Sequence, residues 1–217
     1  MHQRSGRGNF LNNPMPDNYQ QIVGNNLQKL YASLPDNLAA SLPATQEGDC
    51  FKFKAFGEIC RIRPDGIQFG DTMETGILGI LISLYALHAG PESQILQPLK
   101  SFKDFPNSMP YANAFVTHTE QILIPQVEKI EKAQQTILKT LQGRDASDLA
   151  GGDFSFLVRP LPKISLCYIF YQADEEFPAS ATCLYSSNAS AFLPMDALAD
   201  VGEYTSKTIL NLLTKDV

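Results

Sequence analysis

The chain has 217 residues, 44% of them hydrophobic and 18% charged, enough apolar side chain to bury a sizeable core and too little charge for a disordered protein. Its 23 acidic and 17 basic residues leave a net charge of -6, which argues against whole-surface attraction to nucleic acid or to an anionic membrane. The four cysteines, Cys50, Cys60, Cys167 and Cys183, form no CxxC pair and have no histidine at ligand spacing, so free thiols in a reducing cytoplasm are expected.

Residues 1–17 contain two arginines but no apolar run behind them, and so lack the middle region of a secretory signal. They read as a flexible tail ahead of one domain over 18–217. Tyr19, Ile22, Val23, Leu27, Leu30 and Tyr31 then recur at helical spacing, and Pro35-Asp36 opens a short second segment ending near Leu42. From Cys50 the pattern alternates, with Phe51, Phe53 and Ala55 on one face and Cys50, Lys52 and Lys54 on the other. Glu58–Arg63, the turn Pro64-Asp65-Gly66 and Ile67–Phe69 complete a three-stranded antiparallel meander.

Asp71 and Glu74 have the spacing of an acidic capping box, which predicts a helix from Thr75 to Ala89. The apolar run Ile77–Ala89 is well short of the roughly twenty residues that span a bilayer. A helix apolar all round must instead be covered on most sides, at the centre of the fold. The proline-rich stretch from Glu92 to Pro110 predicts a structured loop holding Phe102 and Phe105 against the core. Helical signal returns from Tyr111 to Gln142, with Pro125 either in the first turn of a second helix or at a kink. There Val127, Ile130, Ile137, Leu138 and Leu141 form the buried stripe, and Gly143 supplies the cap. Strands follow at Asp153–Arg159, Ile164–Gln172 and Ala181–Tyr185, and a last helix runs from Met195 or Asp196 to Lys215.

The strand through Leu166 and Ile169 is almost wholly apolar, so it is expected in the middle of a sheet, buried on both faces. It runs into Asp174, Glu175 and Glu176. One of these carboxylates could face a pocket as acid, base or ligand, with Arg159 as an anion anchor; alternatively, the three simply solvate a turn. On the meander, in-register pairing would place Lys52 and Lys54 beside Arg61 and Arg63, making either an anion-binding patch or an ordinary solvated face. Cys50 and Cys60 share a face only if the register allows it. His88, in the last turn of the apolar helix, reads either as a proton shuttle or an axial ligand to a tetrapyrrole metal, or as a partner of free carbonyls at the helix end. His118 carries less signal. The glycine pairs lack the remaining residues of a phosphate loop.

The segment FYQADEEFPASATCLYSSNASAFLPMDALADVGE (170–203), together with GDCFKFKAFGEICRIRPDGIQFGD (48–71) and ILGILISLYALHA (77–89), resembles an uncharacterised prokaryotic family, domain of unknown function thirty-seven eighty-six. The resemblance rests on the acidic pair in Glu175-Glu176-Phe177-Pro178 and on Leu193-Pro194, and it runs from about Tyr19 to the end. It implies a setting in anaerobic one-carbon or corrinoid chemistry, because some relatives carry a four-cysteine iron-sulfur segment like that of corrinoid iron-sulfur proteins. This chain departs there, since no cysteine precedes Cys50. The family supplies no catalytic residues to carry over.

These readings combine into one α+β domain, with antiparallel strands around a central apolar helix and further helices outside. The expected function is a binding or accessory domain acting near the ends of Ile164–Gln172 and Ala181–Tyr185. Arg159, Asp174, Glu175, Glu176, Lys52 and Arg61 are its candidate ligand-binding residues. The cofactor is unknown, and the expected partner is a small molecule or a metalloprotein, with neither nucleic acid nor membrane. The alternatives are a small hydrolase or transferase using one of the carboxylates, and a homodimerisation module.

Overall fold

The computed structural model describes residues 16–214. The expectation for residues 1–15 lies outside that range, as does the end of the last helix beyond Thr214. Helix α1 (Pro16–Ala32) and the single turn α2 (Leu38–Ser41) lead into a first sheet. That sheet comprises β1 (Thr45–Glu47), β2 (Cys50–Ala55), β3 (Glu58–Arg63), β4 (Gly66–Phe69) and β5 (Thr72–Met73), antiparallel and in chain order. The expected meander of three strands is therefore widened by a short strand at each edge.

Alternation in β2 buries Phe51, Phe53 and Ala55, and pairing sets Phe53 opposite Cys60 and Lys52 opposite Arg61. Cys60 accordingly faces the core while Cys50 lies on the outer face with the lysines; the four cysteines are free thiols. Phe56 and Gly57 join β2 to β3 with φ of 46° and 89°, both in the left-handed region, as a two-residue hairpin turn requires. A phenylalanine there is uncommon. Its ring is buried against Tyr204, with centroids 6.4 Å apart, and its N–H donates to the Pro160 carbonyl at 2.7 Å.

The predicted capping box does not form. Thr72 and Met73 pair with Phe69 and Gln68 as β5, so Asp71 sits in an exposed turn and α3 (Ile77–Leu87) starts two residues late. Glu74 instead accepts from the Gly76 N–H at 2.7 Å. No residue of α3 is exposed, as its all-round apolarity predicts. Its Tyr85 lies 6.0 Å from the Phe53 ring and its hydroxyl accepts from the Lys163 N–H at 3.1 Å, so one side chain touches both sheets. At the end of α3, His88 Nδ1 lies 2.9 Å from the Leu84 carbonyl.

The second sheet has the order β6 (Lys100–Ser101), β10 (Ser180–Tyr185), β9 (Ile164–Tyr171), β8 (Phe154–Leu161) and β7 (Arg144–Asp145), all antiparallel. The apolar strand is thus central. Ile164, Leu166, Tyr168 and Phe170 on β9 join the main core, and Cys167 on the reverse face is covered by Leu96, Leu99, Ala146 and Leu149. Each large apolar side chain buried this way contributes about 1.5–3 kcal/mol. The segment that follows β6 in the chain holds Phe102 and Phe105 buried, as expected.

The helical region divides into α4 (Met109–Phe115), a π-helical stretch Val116–Gln121, a 3-10 turn at Ile124–Gln126, α5 (Val127–Lys132) and α6 (Gln134–Thr140). Pro125 falls in the 3-10 turn that opens α5. At the end of α6 the left-handed position is taken by Gln142, with φ 53°, and the Gly143 N–H donates to the Leu138 carbonyl at 2.7 Å. The cap is therefore one residue earlier than expected. Finally α7 (Met195–Leu213) packs Leu198, Val201, Ile209 and Leu212 inward against the core.

Candidate functional site

A hollow of about 370 Å³ lies where α4 and the π-helical stretch meet α7. Its polar lining is Tyr111, His118, Thr119, Asp196, Asp200 and Glu203; Ala114, Phe115 and Ala199 are its apolar wall. Close approach of the two walls depends on Gly202. A Cβ there would sit 2.5 Å from the Phe115 ring, 2.8 Å from the Tyr185 hydroxyl and 2.9 Å from Thr119 Oγ1. The π-helical turn is secured from α7: Ser206 Oγ donates to the Thr119 carbonyl at 2.7 Å and is itself 3.0 Å from the Tyr168 hydroxyl on β9. Tyr185 on β10 donates to the Leu198 carbonyl at 2.8 Å. The wide turn is thus tied by side chains to the central strands. π-Helical turns occur frequently at functional sites.

Charge is unevenly matched around the hollow. Glu203 receives Lys207 Nζ at 2.6 Å and His118 Nδ1 at 3.1 Å. Partial burial raises its pKa, but Lys207 and His118 outweigh that and hold the carboxyl below its usual range. Asp200, one turn earlier on α7, makes no ion pair among the described residues. Desolvation, reinforced by Glu203 and Asp196, pushes its pKa up to about 6 against the weaker pull of Lys207 and His118. Thr119 is 0% exposed, and its hydroxyl has no hydrogen-bond partner among the described residues. On the other side of the same helical stretch, Glu120 accepts from the Cys183 N–H at 2.9 Å, capping β10 where the two-residue β6 leaves it uncovered. Burial raises the Glu120 pKa, with the Cys183 bond opposing.

The residues singled out from sequence lie elsewhere. Asp174, Glu175 and Glu176 are exposed at the tip between β9 and β10, beside Phe177, which is 66% exposed. Asp174 Oδ1 accepts from the Glu176 and Phe177 N–H groups at 2.8 and 2.7 Å, and these bonds lower its pKa. Arg159 is exposed near the opposite end of the sheet, close to the turn joining β8 to β9. The length of β9 separates it from the three acids, roughly 25 Å at strand rise. A hollow of about 250 Å³ does lie at the strand ends, but it is lined by Gln172, Ala173, Ala179 and residues 124–129, without the three acids. Lys52 and Arg61 are brought together as directly opposite partners on the outer face of the first sheet.

Sequence reasoning gave His118 little weight and missed Asp200 and Glu203. His118 and Glu203 are 85 positions apart, and no local motif couples them. Asp196, Asp200, Glu203 and Lys207, three or four residues apart on α7, make a readable polar stripe, but nothing in the chain says what it faces. Among the described residues no cluster of three or more histidine, cysteine, aspartate or glutamate side chains is arranged to hold a metal ion, and no helix is long and apolar enough to cross a membrane.

No curated protein and no solved structure matches the chain. Residues 35–208 match the family described as Domain of unknown function (DUF3786). That span takes in both sheets, α3 and every residue lining the hollow, and the chain belongs to this family.

Proposed function

We propose that the chain is a ligand-binding domain whose small ligand seats in the hollow between the π-helical stretch and α7. The observation that carries this reading is the lining of the hollow, where an apolar wall of Ala114, Phe115 and Ala199 meets Asp200, a half-buried carboxylate with no ion pair among the described residues. The volume of about 370 Å³ lies in the range of small-molecule sites. A fragment screen by NMR tests it: hits should shift amides of Tyr111–Glu120 and Asp196–Glu203 and disappear in Ala199→Phe, which fills the cavity. Hits that map elsewhere, or that persist in that variant, refute the site.

The family resemblance supports accessory work beside corrinoid or iron-sulfur metalloproteins as the setting for such a domain. Sedimentation of the chain with a corrinoid iron-sulfur protein checks that setting, and independent sedimentation of the two removes it.

A second reading is favoured by the pairing of Lys52 with Arg61. Lys54 and Arg63 share their face, and none of the four makes an ion pair among the described residues. Exposed Ile59 and Met73 lie on the same face, and Glu47 lies at its rim. This surface suits a carboxylate or phosphate carried by a partner. Lys52→Glu with Arg61→Glu should abolish capture of an acidic peptide while leaving the melting temperature within a degree or two; unchanged capture counts against it.

A further inference from the structure

We infer that the outer face of the first sheet docks a second copy of this chain, seating the tip between β9 and β10 of its neighbour, and this inference rests on the anion-binding reading of that face given above. The pairing registers lay out the face. Thr45, Lys52, Arg61, Gln68 and Met73 stand opposite one another in a single row across β1 to β5, and Lys54 stands opposite Ile59 in the next row. Arg63 donates to Gln68 Oε1 at 3.3 Å, which leaves Lys52, Lys54 and Arg61 to a partner. Lys52 and Arg61 are like charges set directly opposite on a chain of net charge -6, an arrangement that costs the free sheet stability and that an incoming carboxylate relieves.

What this face takes must carry acidic and apolar groups together. Ile59 is 37% exposed and Met73 59%, and both adjoin the cations, so a free phosphate would leave them unused. No residue of the two rows is aromatic, so a nucleic acid strand would find no ring on which to stack its bases. An aromatic ring beside carboxylates suits every group: the carboxylates meet Lys52 and Arg61, while the ring meets the Met73 thioether, Ile59 and the cations. The chain carries such a group itself. Glu175, Glu176 and Phe177 are exposed at the tip and make no ion pair among the described residues; Phe177 is 66% exposed, and Tyr171 at the base of the tip 48%. The tip is also ordered in advance. The Asp174 carboxylate accepts from the Glu176 and Phe177 N–H groups, and the Asp174 N–H donates to the Phe177 carbonyl at 3.0 Å, so little conformational freedom is lost on docking.

A chain cannot seat its own tip. The Phe56 N–H on the Pro160 carbonyl holds the β2–β3 hairpin near the turn joining β8 to β9, whereas the tip lies at the other end of β9, roughly 25 Å away at strand rise. Complementary surfaces at opposite ends of one molecule make a heterologous, head-to-tail contact, and each joined pair keeps one free tip and one free face. Further copies therefore add to the pair.

The test is sedimentation velocity of the full chain at low salt and at concentrations up to about 1 mM, the contact being small and its dissociation constant on the order of 0.1 mM. The mean mass should rise above that of the monomer with concentration and fall back in about 1 M salt, where charges are screened beyond about 3 Å. Glu175→Lys with Glu176→Lys, and separately Lys52→Glu with Arg61→Glu, should each be monomeric. An equimolar mixture of these two variants should associate, because each supplies the surface that the other lacks. Phe177→Ala should weaken the contact about tenfold. None of the five side chains makes a hydrogen bond or ion pair among the described residues, so the melting temperatures should stay unchanged. A chain that stays monomeric throughout, an association that survives either reversal, or a mixture that stays monomeric overturns the inference. Capture of the acidic peptide separates it from the reading on which it rests: capture without self-association leaves the basic face as a site for a different acidic partner, and loss of both removes the face as a binding surface.

Discussion

At the scale of single residues, Asp200 should govern how stability depends on pH. Its pKa rises from the ordinary 3.8 to about 6 on folding, so between those values the native state holds a proton that the unfolded chain has released. The stabilising contribution is therefore present below about pH 4 and is lost as pH rises through about 6. Asp200→Asn should flatten that slope and raise stability at pH 7.5 by about 1 kcal/mol, after allowing for the solvent screening of a half-exposed group. Urea unfolding of both forms at pH 4.5 and 7.5 checks this, and a slope retained in the variant contradicts it. Glu120 makes the opposite case. Glu120→Ala leaves the Cys183 N–H without its acceptor and should cost about 1–3 kcal/mol, whereas Glu120→Gln keeps an acceptor oxygen and should cost less than half as much. Equal losses in the two variants would show that the bond does not matter. None of these roles was legible from sequence, because Glu120 and Cys183 are 63 positions apart and meet only when β10 pairs. Asp174, Glu175 and Glu176 drew attention because they follow the most apolar strand. Their position at a strand end was read correctly, but whether a strand end opens on a cavity or on water is decided by neighbouring elements.

Among the elements, those with strong periodicity were the ones read well. Strands β2, β3, β8, β9 and β10 and helices α3 and α7 follow from alternation or from apolar runs whose burial the fold must satisfy. The departures have local causes. Two-residue strands such as β5 and β6 have no period to detect, and β5 took the residues that the capping box needed. The π-helical stretch VTHTEQ looks like any polar helical turn, and its widening is secured by Ser206 and Gly202 of α7, more than eighty residues later. Gly202→Ala tests how tightly that crossing is packed. The added methyl meets Phe115, Tyr185 and Thr119 within 3 Å and should lower stability by about 1–3 kcal/mol while disturbing amides from Phe115 to Glu120. Wild-type stability in that variant would mean that α7 does not bear on the wide turn.

For the molecule as a whole, the α+β class and the central placement of β9 follow from the sequence, but the division of the strands among the described residues into two five-stranded sheets does not. That division depends on which edges close, and pairing across edges leaves no trace in a single strand's composition. One buried cluster nevertheless draws on both sheets and on α1, α3 and α7. Thermal unfolding followed by far-ultraviolet circular dichroism and by tyrosine fluorescence should therefore give coincident transitions. Two separated transitions would divide residues 18–217 into independent units.

The hairpin tip at Phe56 carries this unity into the chain's biosynthesis. The Pro160 carbonyl and the Tyr204 ring complete its seat, so the tip leaves the ribosome about a hundred residues before Pro160, an interval of roughly 5–20 s at ordinary translation speeds. For that time the nascent amino-terminal sheet presents a bulky aromatic in a left-handed turn without its backbone acceptor or the Tyr204 ring. Release of a chain truncated before residue 160 should yield a species captured by holdase chaperones, while the complete chain escapes them.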